Sequence, residues 1–228
     1  MIGDPVALTI RRKIKRPPKS LVRAFEGAET GFIADAQNGK GALDHRIKPL
    51  TDDMGFCGVA VTALNGPRDL LANMAMLDFV QPGDVLMIAT GPDESAAVIG
   101  DNYAAAAKLK GVAAMVTDGL MRDRAGILEA DIPAFCVGIC PNSGFQNGPG
   151  EVNTSVSVGG VVVDPGDIVV GDRDGVMVIK RQEARAVAES LARVTALEAK
   201  TRAAVLAGKK SQFWDPAAFK ARGVTYLD

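Results

Sequence analysis

Between Asp84 and Thr117 the sequence alternates in a way that few architectures accept. The apolar run "DVLMIAT" is followed, after "GPDESAAVIG", by the alanine-rich "DNYAAAAKLK" and then by a second apolar run, "GVAAMVT". A run without a polar face reads as a strand covered on both sides, as in a parallel sheet. The alanines and terminal lysines between the runs favour a helix, with Asp101 in its first turn, where a carboxylate opposes the positive end of the helix dipole. Strand, helix and strand in that order make a parallel βαβ unit. "LMRDRAGILEADIP" then reads as a loop and a short helix, and "AFCVGI" as one further strand.

The flanks differ in character. "KSLVRAFEGA" has Leu21, Val22 and Phe25 at helical spacing behind Ser20, and "TGFIADAQNG" predicts a second helix from Thr30 to Gly39. "CGVAVTAL" is expected as a strand, and "RDLLANMAMLDFV" as an amphipathic helix ending at the turn "QPGD". Beyond Pro141, "PNSGFQNGPGEVN" reads as a long loop. "TSVSVGGVVV", "DIVVGD" and "GVMVIK" are short strands joined by the turns "DPGD" and "DRDG", which makes this part antiparallel. One long charged helix is expected from Arg181 to about Leu206, with Gly208 as its stop, and a last short helix over "PAAFKARG". The whole is a single α/β domain over residues 1–228, with a core of about residues 32–180, a terminal helical arm over 181–228 and helical arms at both ends. A long terminal helix packs on its own domain or reaches a neighbouring subunit.

Composition removes several function classes. The 228 residues are 47% hydrophobic and 23% charged, enough to bury a sizeable core. A net charge of -1 and a pI of about 5.9 give no general attraction to nucleic acid or an anionic membrane. The one basic run, "RRKIKRPPK" from Arg11 to Lys19, reads as a solvated arm. The single histidine, His45, lies in a polar loop and reads as a surface residue, which leaves little for a His-based triad or zinc site. Cys57, Cys136 and Cys140 are too few and too oddly spaced for a disulfide framework or a Cys-x-x-Cys site. Cys136 and Cys140 are expected as small buried hydrophobes. The N-terminus lacks the order of a signal peptide and no apolar run approaches a membrane span, so the cytoplasm is the expected location.

What remains is the chemistry at two turns. Asp101 and Arg122 are separated by twenty residues, and Asp123 follows at once. In a parallel α/β unit the C-terminal strand ends and the following helix N-termini share one edge, where ligands bind. Both turns fall on that edge, so the three charged groups are expected in one crevice. Two nearby carboxylates repel unless a cation lies between them. Arg122 helps, and a divalent ion satisfies both. Oxygen donors without His or Cys suit Mg2+ or Mn2+, which keep positions open for water or substrate. Arg122 would grip a carboxylate or stabilise an enolate, and the backbone of "AAVIGD" at a helix start offers an anion site. Taken singly, an Asp at a helix start is also a cap, and an Arg-Asp neighbour pair is also a surface feature.

"GD", twenty residues and "RD", set within "QPGDVLMIA" and "GPGEVNTSVSVGGVVVDPGDIVVGDRDGVMVI", resemble the RraA-like family over about Phe32 to Leu206. That family includes the class II pyruvate aldolases that cleave 4-hydroxy-4-methyl-2-oxoglutarate and 4-carboxy-4-hydroxy-2-oxoadipate. The resemblance implies an α/β/β/α sandwich, of the swivelling β/β/α kind, in ring-shaped homotrimers or homohexamers. It implies Asp123 as the direct metal ligand and Asp101 as the holder of metal-bound waters. Arg122 would bind the pyruvate carbonyl oxygen and stabilise the enolate, and the backbone of Val98, Ile99 and Gly100 would receive the carboxylate. Asp35, in "IADAQNG", matches a position that is often acidic, and Glu198, in "LEAKTRA", matches a glutamate that reaches the metal through water from a neighbouring subunit. The implied activity is Mg2+- or Mn2+-dependent retro-aldol cleavage of a 4-hydroxy-2-oxo acid or diacid, as in aromatic compound catabolism. It yields pyruvate plus a second 2-oxo acid or aldehyde, and oxaloacetate decarboxylation passes through the same enolate.

Two other functions belong to the resemblance. Some members bind a ribonuclease and inhibit RNA processing, but those are shorter and lack the helix that carries Glu198. Another lyase or isomerase of sugar acids could use the same site. Some relatives carry a menaquinone methyltransferase name, yet no Gly-x-Gly-x-Gly follows a strand here. One departure is Ala97, where many members have glycine.

Overall fold

A computed structural model describes residues 6–91, 93–209, 215–220 and 222–227. In chain order the strands are β1 (Leu8–Ile10), β2 (Lys48–Pro49), β3 (Phe56–Asn65), β4 (Asp84–Ala89), β5 (Ala97–Ile99), β6 (Ala114–Thr117), β7 (Leu120–Met121), β8 (Ala134–Cys136), β9 (Gly138–Ile139), β10 (Gly150–Val152), β11 (Val156–Val158), β12 (Val161–Val163), β13 (Ile168–Asp172) and β14 (Gly175–Ile179). The helices are α1 (Lys19–Arg23), α2 (Thr30–Ala36), α3 (Leu71–Met76, continued by a 3-10 turn over Leu77–Phe79), α4 (Asp101–Leu109), α5 (Arg124–Glu129), α6 (Ala184–Leu206) and α7 (Pro216–Lys220).

Every residue of β4 is buried, as its unbroken apolar run requires. It pairs in parallel with β3 on one side and β6 on the other, and β6 pairs in parallel with β8. The main sheet runs β1-β10-β3-β4-β6-β8-β2, with the β13–β14 hairpin joined antiparallel to the first residues of β3.

Four layers follow from which side each residue faces. Ala72 and Met76 of α3, Ala104 and Ala107 of α4 and Ile127 of α5 pack on Val61, Leu86, Ile88 and Met115 of the sheet. The opposite face, with Met87, Val116 and Phe135, meets Val156, Val158 and Val163 of the β11–β12 hairpin and Val169, Val176 and Val178 of β13–β14. The alternate hairpin residues, Ile168, Val170, Met177 and Ile179, turn outward onto Phe25, Ile33, Ala184, Val187 and Leu191 of the α1–α2–α6 layer. The expected α/β/β/α arrangement is therefore present.

Three local expectations need correction. "GPDESAAVIG" is not only loop, and "AFCVGI" is not one strand. After β4, β6 and β8 the chain steps sideways and pairs again as a small parallel sheet, β5-β7-β9. Strands of two or three residues carry no readable period, so nothing in the sequence marked them. Gly119 permits one such step, since a Cβ there would lie 2.7 Å from Thr90 Oγ1. The Asp118 carboxylate braces the steps by accepting the Thr90 amide at 2.9 Å and the Gly159 amide at 3.3 Å. Burial pushes its carboxyl above the usual range despite those bonds. Second, β10 lies in the expected loop after Pro141 and links β1 to β3. Third, the basic run is not wholly solvated. Arg16 makes a two-pronged ion pair with Asp84, which is 1% exposed and needs a counter-charge where β4 begins.

The long arm is α6, and only Ala184, Val187 and Leu191 of its residues are buried. Beyond them it presents exposed Leu197 and Leu206. Gly208, at φ +76°, stops it as expected. The expected last helix appears as α7, while Ala221 of "PAAFKARG" lies outside the described residues. Among the described residues no helix is long and apolar enough to cross a membrane.

Candidate active site

The small sheet builds the crevice. β5 and β7 run parallel, and the Arg122 amide extends their ladder by donating to Ile99 O at 2.9 Å. Two turns leave the same end of this sheet. One runs through Gly100 into α4, which begins at Asp101, and the other through Arg122 and Asp123 into α5. Asp101, Arg122 and Asp123 thus share one cavity of about 310 Å³ with the backbone of Val98, Ile99 and Gly100. The shared edge expected from the sequence exists, one ladder removed from the central strands. Leu70, Asn73, Met74, Tyr103 and Ser143 complete the wall.

Asp123 adopts a left-handed conformation, φ 57° and ψ 44°, immediately before α5. Aspartate tolerates this region better than most residues, at a cost of about 1 kcal/mol. It caps no amide of α5; its Oδ2 lies 3.2 Å from Arg122 Nε instead. Their side chains are 41% and 43% exposed, so the pair adds little stability. The turn holds a carboxylate beside a guanidinium at a cavity mouth and does not anchor the fold. At the other turn, Asp101 Oδ1 accepts the Asn102 amide at 2.6 Å, and no side chain caps α4.

Two glycines allow these groups to meet. A Cβ on Gly126 of α5 would lie 2.5 Å from the Cβ of Asp101, so the α4–α5 approach depends on its absence. Gly100 has an extended backbone that any residue adopts, yet its Cβ would lie 2.9 Å from Asp123 Oδ2 and 3.3 Å from Arg122 Nε. Those atoms are side-chain ends that can move aside. Gly100→Ala is therefore expected to leave the melting temperature within about 3 °C of wild type and to lower kcat/KM of the site's reaction by roughly ten- to a hundredfold. Thermal melting and steady-state kinetics check this together.

The apolar pattern of the sequence hides one residue of the wall, Asn73, and one outside its lining, Asp69. Asn73 lies between the apolar positions of "LLANMAM", where a polar residue facing the core is the signal that marks it. It is 1% exposed and donates from Nδ2 to Val98 O at 2.8 Å. Asp69, 3% exposed, accepts the amides of Leu71 at 2.8 Å, Asn147 at 2.7 Å and Gly148 at 3.0 Å. It thereby ties α3 to the loop that carries Ser143.

Asp35 and Glu198 are not in this cavity. Asp35 is exposed on α2 and Glu198 lies on α6, both in the outer helix layer on the other side of the sheets. Glu198 lines a separate cleft with Glu29 and Phe32, so the two acidic groups carried by the resemblance belong to one outward layer. Among the described residues no group of three His, Cys, Asp or Glu side chains is disposed to hold a metal within the chain. His45 is a surface residue, as expected, with its side chain 91% exposed.

Cys136 is buried, but Cys140 is only partly so, because it sits where β9 leaves the small sheet. Burial pushes the Cys57 thiol up to about 12, with help from Glu26, and the Cys136 thiol up to about 11. Both thiols therefore stay protonated at pH 8. Iodoacetamide on the folded protein at that pH is expected to label Cys140 first, with Cys57 and Cys136 reacting only after denaturation, as peptide mass mapping would show.

A family model described as RraA-like, Aldolase/RraA, matches residues 30–178. A protein of Halalkalibacterium halodurans, provisionally named a 4-hydroxy-4-methyl-2-oxoglutarate aldolase, is 36% identical over 160 residues, covering 70% of this chain and 76% of that protein. A solved structure from Streptomyces coelicolor, described as an unusual member of the RNase ES inhibitor RraA protein family, superposes with a TM-score of 0.72 at 29% identity, over 82% of this chain and 98% of that one. An uncharacterized protein of Pseudomonas syringae pv. tomato shares the fold, with a TM-score of 0.75 at 23% identity, over 86% and 96% of the two chains.

Proposed function

The chain belongs to the RraA-like family, and on that premise we propose that it is a divalent-metal-dependent lyase releasing pyruvate from a 4-hydroxy-2-oxo acid. The observation that carries this reading is the convergence of Asp101, Arg122 and Asp123 on one cavity beside the Val98–Gly100 backbone. The provisional aldolase name of the 36% identical relative points the same way.

The donor set fits a hard ion. Asp123 is turned toward the cavity without capping a helix, and Asp101 stands at the facing turn. Two carboxylates without a third His, Cys, Asp or Glu suit Mg2+ or Mn2+, which retain water and substrate positions. Asp123 would hold the ion directly and Asp101 through water. When bound, the ion supplies Lewis-acid polarisation of the 2-oxo acid.

The residues do the rest. The amides at the start of α4 and the Val98–Gly100 edge receive the substrate carboxylate. Arg122, whose side chain adjoins Gly100, donates to the 2-oxo oxygen and stabilises the negative charge that develops there. Asp101 Oδ2, which accepts no hydrogen bond from the described residues, orients the water that takes the proton from the 4-hydroxyl. The C3–C4 bond breaks, the 4-hydroxyl carbon leaves as a carbonyl, and the electron pair passes to the pyruvyl fragment as its enolate. Protonation at C3 gives pyruvate. Loss of CO2 from oxaloacetate yields the same enolate, so decarboxylation is proposed as a side activity. Glu198 acts from a neighbouring subunit of a trimer or hexamer, consistent with its place on the outward α6, and Asp35 is an acidic position of the same outer layer.

A coupled pyruvate assay tests this directly across 4-hydroxy-2-oxo acids, diacids and oxaloacetate. Pyruvate release with Mg2+ or Mn2+, abolished by EDTA and restored by added metal, is expected. No release from any of these substrates would refute the proposal. The ribonuclease-regulator reading is kept alive by the name of the Streptomyces coelicolor neighbour. It predicts capture of a ribonuclease that persists in Asp123→Ala. A sugar-acid lyase or isomerase would instead act on sugar acids in a parallel panel.

A further inference from the structure

β5 is an edge strand. Its Ile99 faces β7 and accepts the Arg122 amide. On its other edge β5 is adjoined only by the single Ala97–Ser143 bridge among the described residues, and Val98 C=O is met there by the Asn73 side chain, which donates to it at 2.8 Å. A buried carbonyl left without a donor is costly, so this one side chain decides where the edge settles.

The Asn73 carboxamide is itself locked. Asn65, the last residue of β3 and 4% exposed, donates from Nδ2 to Asn73 Oδ1 at 2.6 Å, and its own Oδ1 accepts the Asn73 amide at 3.4 Å. With its oxygen held by Asn65, Asn73 can only present Nδ2 to Val98. Tyr103 of α4 completes the junction by donating its phenolic proton to Asn73 O at 2.9 Å. That phenol is buried, which pushes its pKa upward and keeps it a donor. Asn73 therefore joins β3, α3, β5 and α4 at one point behind the cavity.

We propose that Asn73 is a positioning residue that holds the Val98–Gly100 edge where it receives the substrate carboxylate, with Asn65 as the lock on its orientation. This inference rests on the carboxylate-receiving role given to that edge above. Its effect should fall on ground-state binding more than on the bond-breaking step.

The test measures pyruvate binding by calorimetry with Mg2+ present, together with kcat, KM and thermal stability. Asn73→Ala is expected to raise the pyruvate Kd and the substrate KM by roughly ten- to a hundredfold, with kcat changed by less than about fivefold. Asn65→Asp keeps the volume but places an acceptor against Asn73 Oδ1, which turns the carboxamide over and faces its oxygen to Val98 O. A rise of roughly five- to tenfold in Kd and KM is expected from it, and a smaller one from Tyr103→Phe. If Asn73→Ala does not fold, these two variants carry the comparison. Folded variants that bind pyruvate within twofold of wild type, whatever their melting temperature, would overturn the inference. Wild-type protein that binds pyruvate but cleaves nothing would end the lyase proposal while the Kd comparison still decides this one. Wild-type protein that binds no pyruvate would end both.

Discussion

Asp123→Asn is expected to lower pyruvate release at least about a thousandfold, with the fold intact. Asparagine, like aspartate, tolerates the left-handed φ of 57° at this turn, so the variant removes the charge without straining the backbone. The lost ion pair with Arg122 is too exposed to matter for stability. What disappears is the side chain proposed to hold the metal. Alanine in its place adds about 1 kcal/mol of backbone cost, so a larger drop in melting temperature in Asp123→Ala than in Asp123→Asn separates strain from chemistry. Parallel activity and melting measurements read both. An asparagine variant with more than about a tenth of wild-type activity would remove Asp123 from the site.

Arg122→Ala is expected to cost roughly a hundred- to a thousandfold in kcat. Its backbone amide, which continues the β5–β7 ladder, survives the substitution, so the turn keeps its shape. Its guanidinium is the only cation among the described residues that line the cavity, so no other lining side chain can take over the proposed stabilisation of an enolate. Arg122→Lys keeps a charge but loses the planar donor pair, and recovery of no more than about tenfold is expected. A loss confined to KM would assign Arg122 to binding alone.

Much of this molecule was legible before its structure. The six buried residues of β4, the alanines of α4 and the "DRDG" turn of β13–β14 each state their conformation locally, and together they dictate the layers. The spacing of Asp101 from Arg122-Asp123 placed them on one edge. What the pattern could not show was the ladder that does it, because strands as short as Leu120–Met121 have no period. The left-handed turn at Asp123, the space beside Gly100 and Gly126, and the Asn65–Asn73 lock are long-range facts that depend on which elements finally meet. Arg16 likewise reads as one more charge of a solvated arm, because its buried partner, Asp84, lies far along the chain. Asp35 and Glu198 rest on the resemblance alone, since both lie on the outer helix layer, away from the turns that carry the charged cluster.

The most direct measurement is where pyruvate binds in a crystal of the protein grown with Mg2+. The expected result is its carboxylate at the Val98–Gly100 edge and the start of α4, its 2-oxo oxygen facing Arg122, and the ion on Asp123. Pyruvate bound elsewhere on the molecule, with the Asp101–Arg122–Asp123 cavity holding neither pyruvate nor metal, would contradict the assignment of this cavity as the active site.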